Sequence, residues 1–199
     1  LKVAATLDGQ VAAADGTSRW ISGEESRRDG HVLRSRSDGV MVGAGTVIDD
    51  DPRLDVRLDG YDGAQPRPIV VAGERPIPPD RAVLRRDPVL LAPAPGIEGA
   101  VVVAGREGVD LAAAARYLGE QGFVDVMVEG GPTLAGALWR AGLVDRVVWY
   151  AAGMMAGGVG RPALAGPFPT LAEAAPLDIV EVARMGTDLR ITCERRERR

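Results

Sequence analysis

The sequence predicts an α/β fold: a mixed β-sheet flanked by helices and closed by a C-terminal antiparallel hairpin. Three observations predict it. From Ala100 to Ala152 the pattern alternates strand, helix, strand, helix, strand, an order that implies parallel neighbours joined by helical crossovers. Near the C-terminus two strand-like runs flank Met185-Gly186-Thr187-Asp188, as in a hairpin. Glycine-rich turns at Gly43 to Thr46, Glu129 to Gly131 and Gly153 to Gly158 each follow a strand, and ligands of open α/β sheets bind at such ends. None of the three is the strict dinucleotide fingerprint or a P-loop.

In chain order, Leu1 to Thr6 reads as a strand carrying Lys2, Leu7-Asp8-Gly9 as a turn and Asp15 to Trp20 as a loop. Ser22 reads as the N-cap of a helix over Gly23 to Arg36, with Glu24 and Glu25 in its first turn, where they complement the helix dipole. Gly39 to Val42 is a strand, and Asp49 to Arg57 a charged loop. Pro68 to Ala72 is a strand, 74–87 is irregular with three prolines, and Pro88 to Ala92 and Ala100 to Ala104 are strands. Asp110 caps a helix whose Leu111, Ala114, Ala115 and Leu118 share a face, ended by Gly122.

Val124 to Val128 is the next strand, leading into Glu129, Gly130 and Gly131. Pro132 suits a first helical position, where its missing N–H costs no bond. Leu134, Ala137, Leu138 and Ala141 then share a face, and Gly142 ends the helix. The unpaired N–H groups and dipole of that helix start favour a phosphate, and glycines let it approach the backbone; a plain tight turn is the alternative. Arg146 to Ala152 is a strand, and 153–169 is a glycine- and proline-rich loop. Leu177 to Ala183 and Leu189 to Cys193 close the fold, the second alternating Leu189, Ile191 and Cys193 with Arg190 and Thr192. Residues 194–199 read as a solvated tail.

With 199 residues the chain fits one large or two small domains, and a single domain over 1–199 is the better reading. Apolar content of 46% suffices for a real core. A net charge of −4 argues against bulk nucleic-acid binding. No apolar run is long enough for a membrane span, and no signal-peptide pattern is visible. The opening at Leu1, directly in strand-like sequence, reads as excision from a longer polypeptide. One cysteine, Cys193, excludes an internal disulfide; with one histidine, His31, a Cys/His structural zinc site within one chain is disfavoured. The expectation is a soluble cytoplasmic protein without a metal.

Five stretches then become recognisable: Lys2-Val-Ala-Ala-Thr-Leu-Asp-Gly, Gly16-Thr-Ser-Arg-Trp-Ile-Ser-Gly, His31-Val-Leu-Arg34, Val42-Gly-Ala-Gly-Thr-Val-Ile-Asp-Asp-Asp-Pro-Arg-Leu-Asp-Val-Arg57 and Val128-Glu-Gly-Gly-Pro-Thr. In order and spacing the chain resembles the reductase domain of the bacterial riboflavin biosynthesis deaminase-reductase. The resemblance implies a dihydrofolate-reductase-like fold. It implies NADPH-driven reduction of the ribosyl group of a phosphorylated ribosylaminopyrimidine to a ribityl chain, and a homodimer. Ala4, Trp20, Thr46, Asp50 and the run Gly130, Gly131, Pro132, Thr133, Leu134, Ala135, Gly136 and Ala137 match NADPH-binding positions. Ser18, Arg34, Leu54, Arg57 and Glu129 match substrate-binding positions, and Lys2 matches a lysine near the reacting carbon. Two departures stand out. Ile69-Val-Val-Ala-Gly ends without the usual acidic residue, leaving Arg75 as a candidate for the 2′-phosphate, and Gly153 replaces a usual proline. The His-x-Glu and Pro-Cys-x-x-Cys zinc motifs of a deaminase are missing from the sequence. The deaminase would lie elsewhere in a full-length polypeptide or in a separate protein.

A ring-opened ribosylamine is an imine, and hydride attack at its C1′ needs alignment and a proton or charge from the protein. Lys2, Asp50 and Glu129 are the candidates. Each has a plainer reading: Lys2 snorkels to the edge, Asp50 lies in a solvated Asp49-Asp50-Asp51-Pro52 turn, and Glu129 caps backbone N–H groups. A divalent metal at the aspartates is disfavoured, since hard cations need ligands from several directions. Arg34 and Arg57 suit a phosphate because the guanidinium fork donates parallel bonds; otherwise they are surface arginines. Trp20 is either core or a stacking surface, Ser18 is substrate contact or a turn hydroxyl, His31 is a packing residue, and Cys193 is a buried inert thiol. A dihydrofolate or other pteridine reductase shares the expected fold, and the arginine pair argues against it. A non-catalytic nucleotide-binding module is disfavoured by Lys2, Asp50 and Glu129 together.

Overall fold

The computed structural model describes residues 1–199 except 74, 167, 169, 171–173 and 197–199. In chain order the elements are β1 (Lys2–Thr6), β2 (Gln10–Ala12), α1 (Glu24–Arg34), β3 (Gly39–Gly43), α2 (Ala44–Asp50), β4 (Arg67–Val71), a 3₁₀ turn (Ala82–Arg86), β5 (Val89–Ala92), β6 (Val101–Val102), β7 (Ala104–Gly105), β8 (Gly108–Val109), α3 (Leu111–Glu120), β9 (Val126–Val128), α4 (Pro132–Arg140), β10 (Arg146–Ala152), β11 (Arg161–Pro162), β12 (Leu177–Met185) and β13 (Asp188–Arg195). They form two compact units, Leu1–Gly30 with Ala135–Arg199, and His31–Leu134.

The first unit holds a mixed sheet in the order β1-β10-β13-β12. β1 runs parallel to β10, and the expected hairpin supplies the antiparallel half. Gly186 takes φ +60° in the hairpin turn, a conformation that glycine adopts without strain. Pairing of Lys2 with Val148 and of Ala4 with Tyr150 puts Lys2, Ala4 and Tyr150 on one face. Val3 and Ala5 turn the other way, into a core with Ala163. The start of α1 is held from far along the chain. Buried Asp188, in the hairpin, accepts from the Gly23 N–H and the Ser26 hydroxyl, each at 2.7 Å. The capping role expected of Ser22 falls to this carboxylate. In the turn between β1 and β2, Asp8 accepts from Thr6 Oγ1 at 2.6 Å and from the Gly157 N–H at 2.7 Å. It thereby ties the glycine-rich loop after β10 to the turn after β1.

The second unit holds an all-parallel sheet in the order β6-β5-β4-β3-β9. Val40, Met41, Val42, Pro68, Ile69 and Val70 of its central strands are buried, as parallel strands covered on both faces require. Val40, Val42, Val47, Leu54, Val70 and Val83 form one packed cluster.

The α/β class, the mixed sheet and the hairpin agree with the sequence reading; the neighbour order does not. The strands expected to lie side by side between Ala100 and Ala152 are dispersed, with β6 and β9 at opposite edges of the parallel sheet and β10 in the mixed one. Adjacency of consecutive strands is a tendency that long-range burial overrides. The strand read at Ala100 to Ala104 divides into β6 and β7, and β7 turns away to pair with β8. Of the turn read at Gly43 to Thr46, Gly43 ends β3, and the rest, with the first residues of the charged loop, is helix α2, ended by Asp51 at φ +44°. β2 and the 3₁₀ turn carried too little pattern to be read. β13 extends to Arg195, into the supposed tail; residues 197–199 of that tail lie outside the described residues.

Two outcomes follow from this packing. In helix α4, Gly136 faces the backbone of Ala165 so closely that a Cβ would overlap the carbonyl oxygen. Gly→Ala inside a helix ordinarily stabilises by roughly 1 kcal/mol. Here Gly136→Ala is expected to destabilise instead, by about 1–3 kcal/mol as for overpacking, measured by urea denaturation. The hydrogen bonds from Thr6, Ala156 and Gly157 hold the Asp8 carboxyl down to about 2 from 3.8. A carboxylate with a depressed folded pKa stabilises fully above its unfolded pKa and loses that contribution as pH falls through the folded value. Thermal melts of wild type and Asp8→Asn should therefore differ most above pH 4 and converge towards pH 2.

Candidate active site

Parallel pairing of β3 with β9 sets the carboxyl ends of these two strands side by side in the second unit. One end runs through Gly43 into α2, the other through Glu129, Gly130 and Gly131 into α4. The two turns touch. A Cβ on Gly43 would lie 3.8 Å from Leu134, and one on Gly131 would lie 3.5 Å from Thr46 Oγ1. Pro132 opens α4, so the N–H groups of its first turn are available to an acceptor. Gly130 to Thr133 are half-buried or exposed, whereas Leu134, Ala135 and Gly136 are buried. Of the run expected to bind the cofactor, the first four residues present the surface and the next three pack. This glycine-lined helix start fits a phosphate-bearing cofactor.

Glu129 continues the line of β9, its N–H donating to the Met41 carbonyl at 2.9 Å. Its carboxylate meets Arg34 in a two-point contact, Nε to Oε1 at 2.5 Å and Nη2 to Oε2 at 2.9 Å. The two side chains are 13% and 14% exposed. Burial works against the Arg34 charge, but the hydrogen bond and charge of Glu129 outweigh it and raise the guanidinium above the usual arginine range. Arg34 Nη1 also donates to the Asp55 carbonyl at 2.9 Å. Three of the five N–H groups of Arg34 are thus engaged, and its first task is to orient Glu129.

Asp55 is buried and ion-paired with Arg57 and, at 2.9 Å, with Arg53. Burial would raise its carboxyl pKa, yet Arg57 and Arg53 bring it below the ordinary value. The two arginines remain 52% and 67% exposed, offering cations to solvent beside the Arg34–Glu129 pair. Arg53 escaped the sequence reading, although the alternation Arg53, Asp55, Arg57 was a visible signal. Leu54 lies in the valine cluster at 2% exposure with φ +55°, so a ligand could meet its backbone but not its side chain. Asp50 is the exposed last residue of α2, rather than part of a turn. Arg75 is paired with Asp49 at 3.1 Å.

In the first unit the Lys2 ammonium lies 5.6 Å from the centre of the Tyr150 ring, within cation–π range. Tyr150 is fully buried and donates to Asp29 Oδ2 at 2.6 Å, and Arg190 Nη1 donates to the same oxygen at 3.0 Å. Lys2 therefore rests on an anchored ring. Ala4 is half-buried one pleat further along the same face, and Ser18 is half-buried after the 13–17 turn. Trp20 is 69% exposed with the Arg27 guanidinium 4.7 Å from its ring, which removes the core reading and leaves the stacking one.

A mixed-sheet unit and a parallel-sheet unit, the latter with an acid–arginine pair beside a glycine turn, give an α/β fold of the dihydrofolate-reductase-like class. The family described as RibD C-terminal domain matches residues 1–191, and the chain belongs to it. The riboflavin biosynthesis protein RibD of Mycobacterium tuberculosis is 40% identical over 158 residues, 79% of this chain and 42% of that protein. The 2,5-diamino-6-ribosylamino-4(3H)-pyrimidinone 5′-phosphate reductase of Methanothermobacter thermautotrophicus is 37% identical, covering 95% of this chain and 94% of that protein. A solved structure of Acinetobacter baumannii RibD superposes with a TM-score of 0.88 at 27% identity, over 98% of this chain and 57% of that one. The chain thus spans about half the length of these RibD proteins and nearly the whole of the archaeal reductase.

Removing one partner of a largely buried ion pair strands the other charge, a loss of about 3–5 kcal/mol. Arg34→Ala is expected to destabilise the protein by about 3 kcal/mol. The double variant Arg34→Ala/Glu129→Ala should recover part of that loss, as a double-mutant cycle by urea denaturation will read.

Proposed function

We propose that residues 1–199 act as a single reductase domain. It would use NADPH to reduce the ribosyl group of a 5′-phosphorylated ribosylaminopyrimidine to a ribityl chain in riboflavin biosynthesis. The substrate is 5-amino-6-(5-phosphoribosylamino)uracil or its 2,5-diamino-pyrimidinone precursor. The observation that carries this reading is the oriented Glu129–Arg34 pair beside the α4 start. It lies in a chain that a pyrimidinone phosphate reductase matches along 94% of its own length.

The chemistry divides among named groups. Bound NADPH supplies the hydride to C1′ of the ring-opened imine. Gly130 to Thr133 and Thr46 would hold its phosphates, and Ala4, Trp20 and Asp50 are the residues assigned to its nicotinamide end. Glu129, fixed by Arg34, contacts the pyrimidine side of the substrate. Lys2 on its Tyr150 platform offers charge or a proton to the imine nitrogen, which must gain a proton as the C=N bond is reduced. Arg57, with its neighbour Arg53, takes the 5′-phosphate, together with the N–H groups of Arg34 that Glu129 and Asp55 leave over. We place the enzyme in the cytoplasm as a homodimer; exposed Ile179, Val180 and Val182 on the edge strand β12 support self-association. A deaminase, fused or separate, would supply or share its substrate.

The test is NADPH oxidation by the purified chain with each pyrimidine form and with dihydrofolate. Turnover of a pyrimidine and not of dihydrofolate is expected, and the reverse would replace this reading with a pteridine reductase. Arg57→Ala should raise KM for the phosphorylated pyrimidine by about tenfold or more, the worth of a charge-assisted hydrogen bond. It should leave kcat and the KM for NADPH nearly unchanged, because the phosphate contact is alike in ground and transition states.

A further inference from the structure

Residues Leu54–Arg57 belong to no strand, and Leu54 to Val56 are buried. Buried backbone polar groups need partners, and here successive ones are met by side chains. The Asp55 carbonyl accepts from Arg34 Nη1 at 2.9 Å. The Val56 N–H donates to Gln65 Oε1 at 2.7 Å, and the Val56 carbonyl accepts from Gln65 Nε2 at 3.3 Å. The Arg57 N–H donates to His31 Nδ1 at 3.2 Å. In this way the backbone of a short irregular run is paired group by group at the point where Arg53 and Arg57 leave it on either side of Asp55.

We infer that His31 and Gln65 are positioning residues that fix the backbone beneath Arg57, so that its guanidinium meets the substrate phosphate in one geometry. This rests on the phosphate-binding role proposed for Arg57. The bond requires His31 Nδ1 as an acceptor, hence a neutral imidazole. Its surroundings keep it neutral: burial lowers its pKa, the Arg34 and Arg57 charges lower it further, and Glu129 pulls the other way. Gln65 suits its place because its amide both accepts and donates, matching the N–H and carbonyl of one residue. His31 read as no more than a packing residue because Arg57 is 26 residues away.

The variants are His31→Ala, His31→Asn and Gln65→Ala. The amide oxygen of Asn can take the place of Nδ1 as acceptor. His31→Ala and Gln65→Ala are expected to raise KM for the phosphorylated pyrimidine about three- to tenfold, the effect of one neutral hydrogen bond, with kcat and the KM for NADPH unchanged. His31→Asn should stay within about twofold of wild type. With the same pyrimidine lacking its phosphate, wild type and variants should perform alike. An unchanged KM in His31→Ala, or an equal loss on the phosphate-free substrate, overturns the inference. If wild type turns over neither pyrimidine, the proposed function fails. The inference is then read from binding of inorganic phosphate followed at the Arg57 amide: weakening in His31→Ala with recovery in His31→Asn supports it, and equal binding by all three overturns it.

Discussion

The contact between Arg34 and Glu129 joins three pieces of chain that are distant in sequence. Arg34 ends α1, Glu129 directly follows β9, and the remaining Arg34 nitrogen reaches the Asp55 carbonyl. A carboxylate and a guanidinium this far removed from water would each be costly alone. Paired at two points they become mutually dependent, and the geometry of one fixes the other. The position of Glu129 beside the glycine turn is therefore a consequence of helix α1 as much as of its own strand. Asp55 repeats the arrangement one step outward, a buried carboxylate balanced by two arginines whose outer surfaces stay in water.

What was legible in the sequence was local. The strand–glycine–Pro132–helix unit could be read because proline at a first helical position and glycine at the turn follow from backbone stereochemistry within a few residues. The C-terminal hairpin could be read from alternation in Leu189–Cys193. The division into a five-strand and a four-strand sheet could not, because β9 chooses β3 and β10 chooses β1 from far along the chain. The cap on α1 was equally hidden: Asp188 lies 165 residues from the Gly23 N–H that it accepts. Helix α2 was missed because Ala44-Gly45-Thr46 has a turn-like composition, and the burial of Val47 in the valine cluster overrides that local preference.

The site residues divide along the same line. Residue types at Lys2, Glu129, Arg34 and Arg57 stood out from the sequence, but their working relations did not. Arg34 read as a phosphate ligand, and in the fold its three engaged donors serve Glu129 and Asp55. Trp20 read as either core or a stacking surface, and it is held out beside Arg27. Tyr150, Asp29 and Arg190, which together support Lys2, gave no signal at all, since a strand tyrosine and a helix aspartate are ordinary until the register places them together.

The glycines of α4 and its turn show why identity alone is a weak guide to a binding surface. A Cβ on Gly130 would lie 2.8 Å from the Leu134 side chain, and one on Gly136 would overlap the Ala165 carbonyl. Both are glycine because the protein itself fills the space. Gly131 differs: its φ is not in the left-handed region, and a Cβ there would meet only Thr46 Oγ1 at an ordinary 3.5 Å. Neither backbone conformation nor internal packing demands glycine at 131. In the proposed function the use for a bare backbone there is external: close approach by the cofactor's phosphates at the start of α4, where the N–H groups favour an anion. Of the glycines along this turn, Gly131 is the one whose bareness the fold does not use.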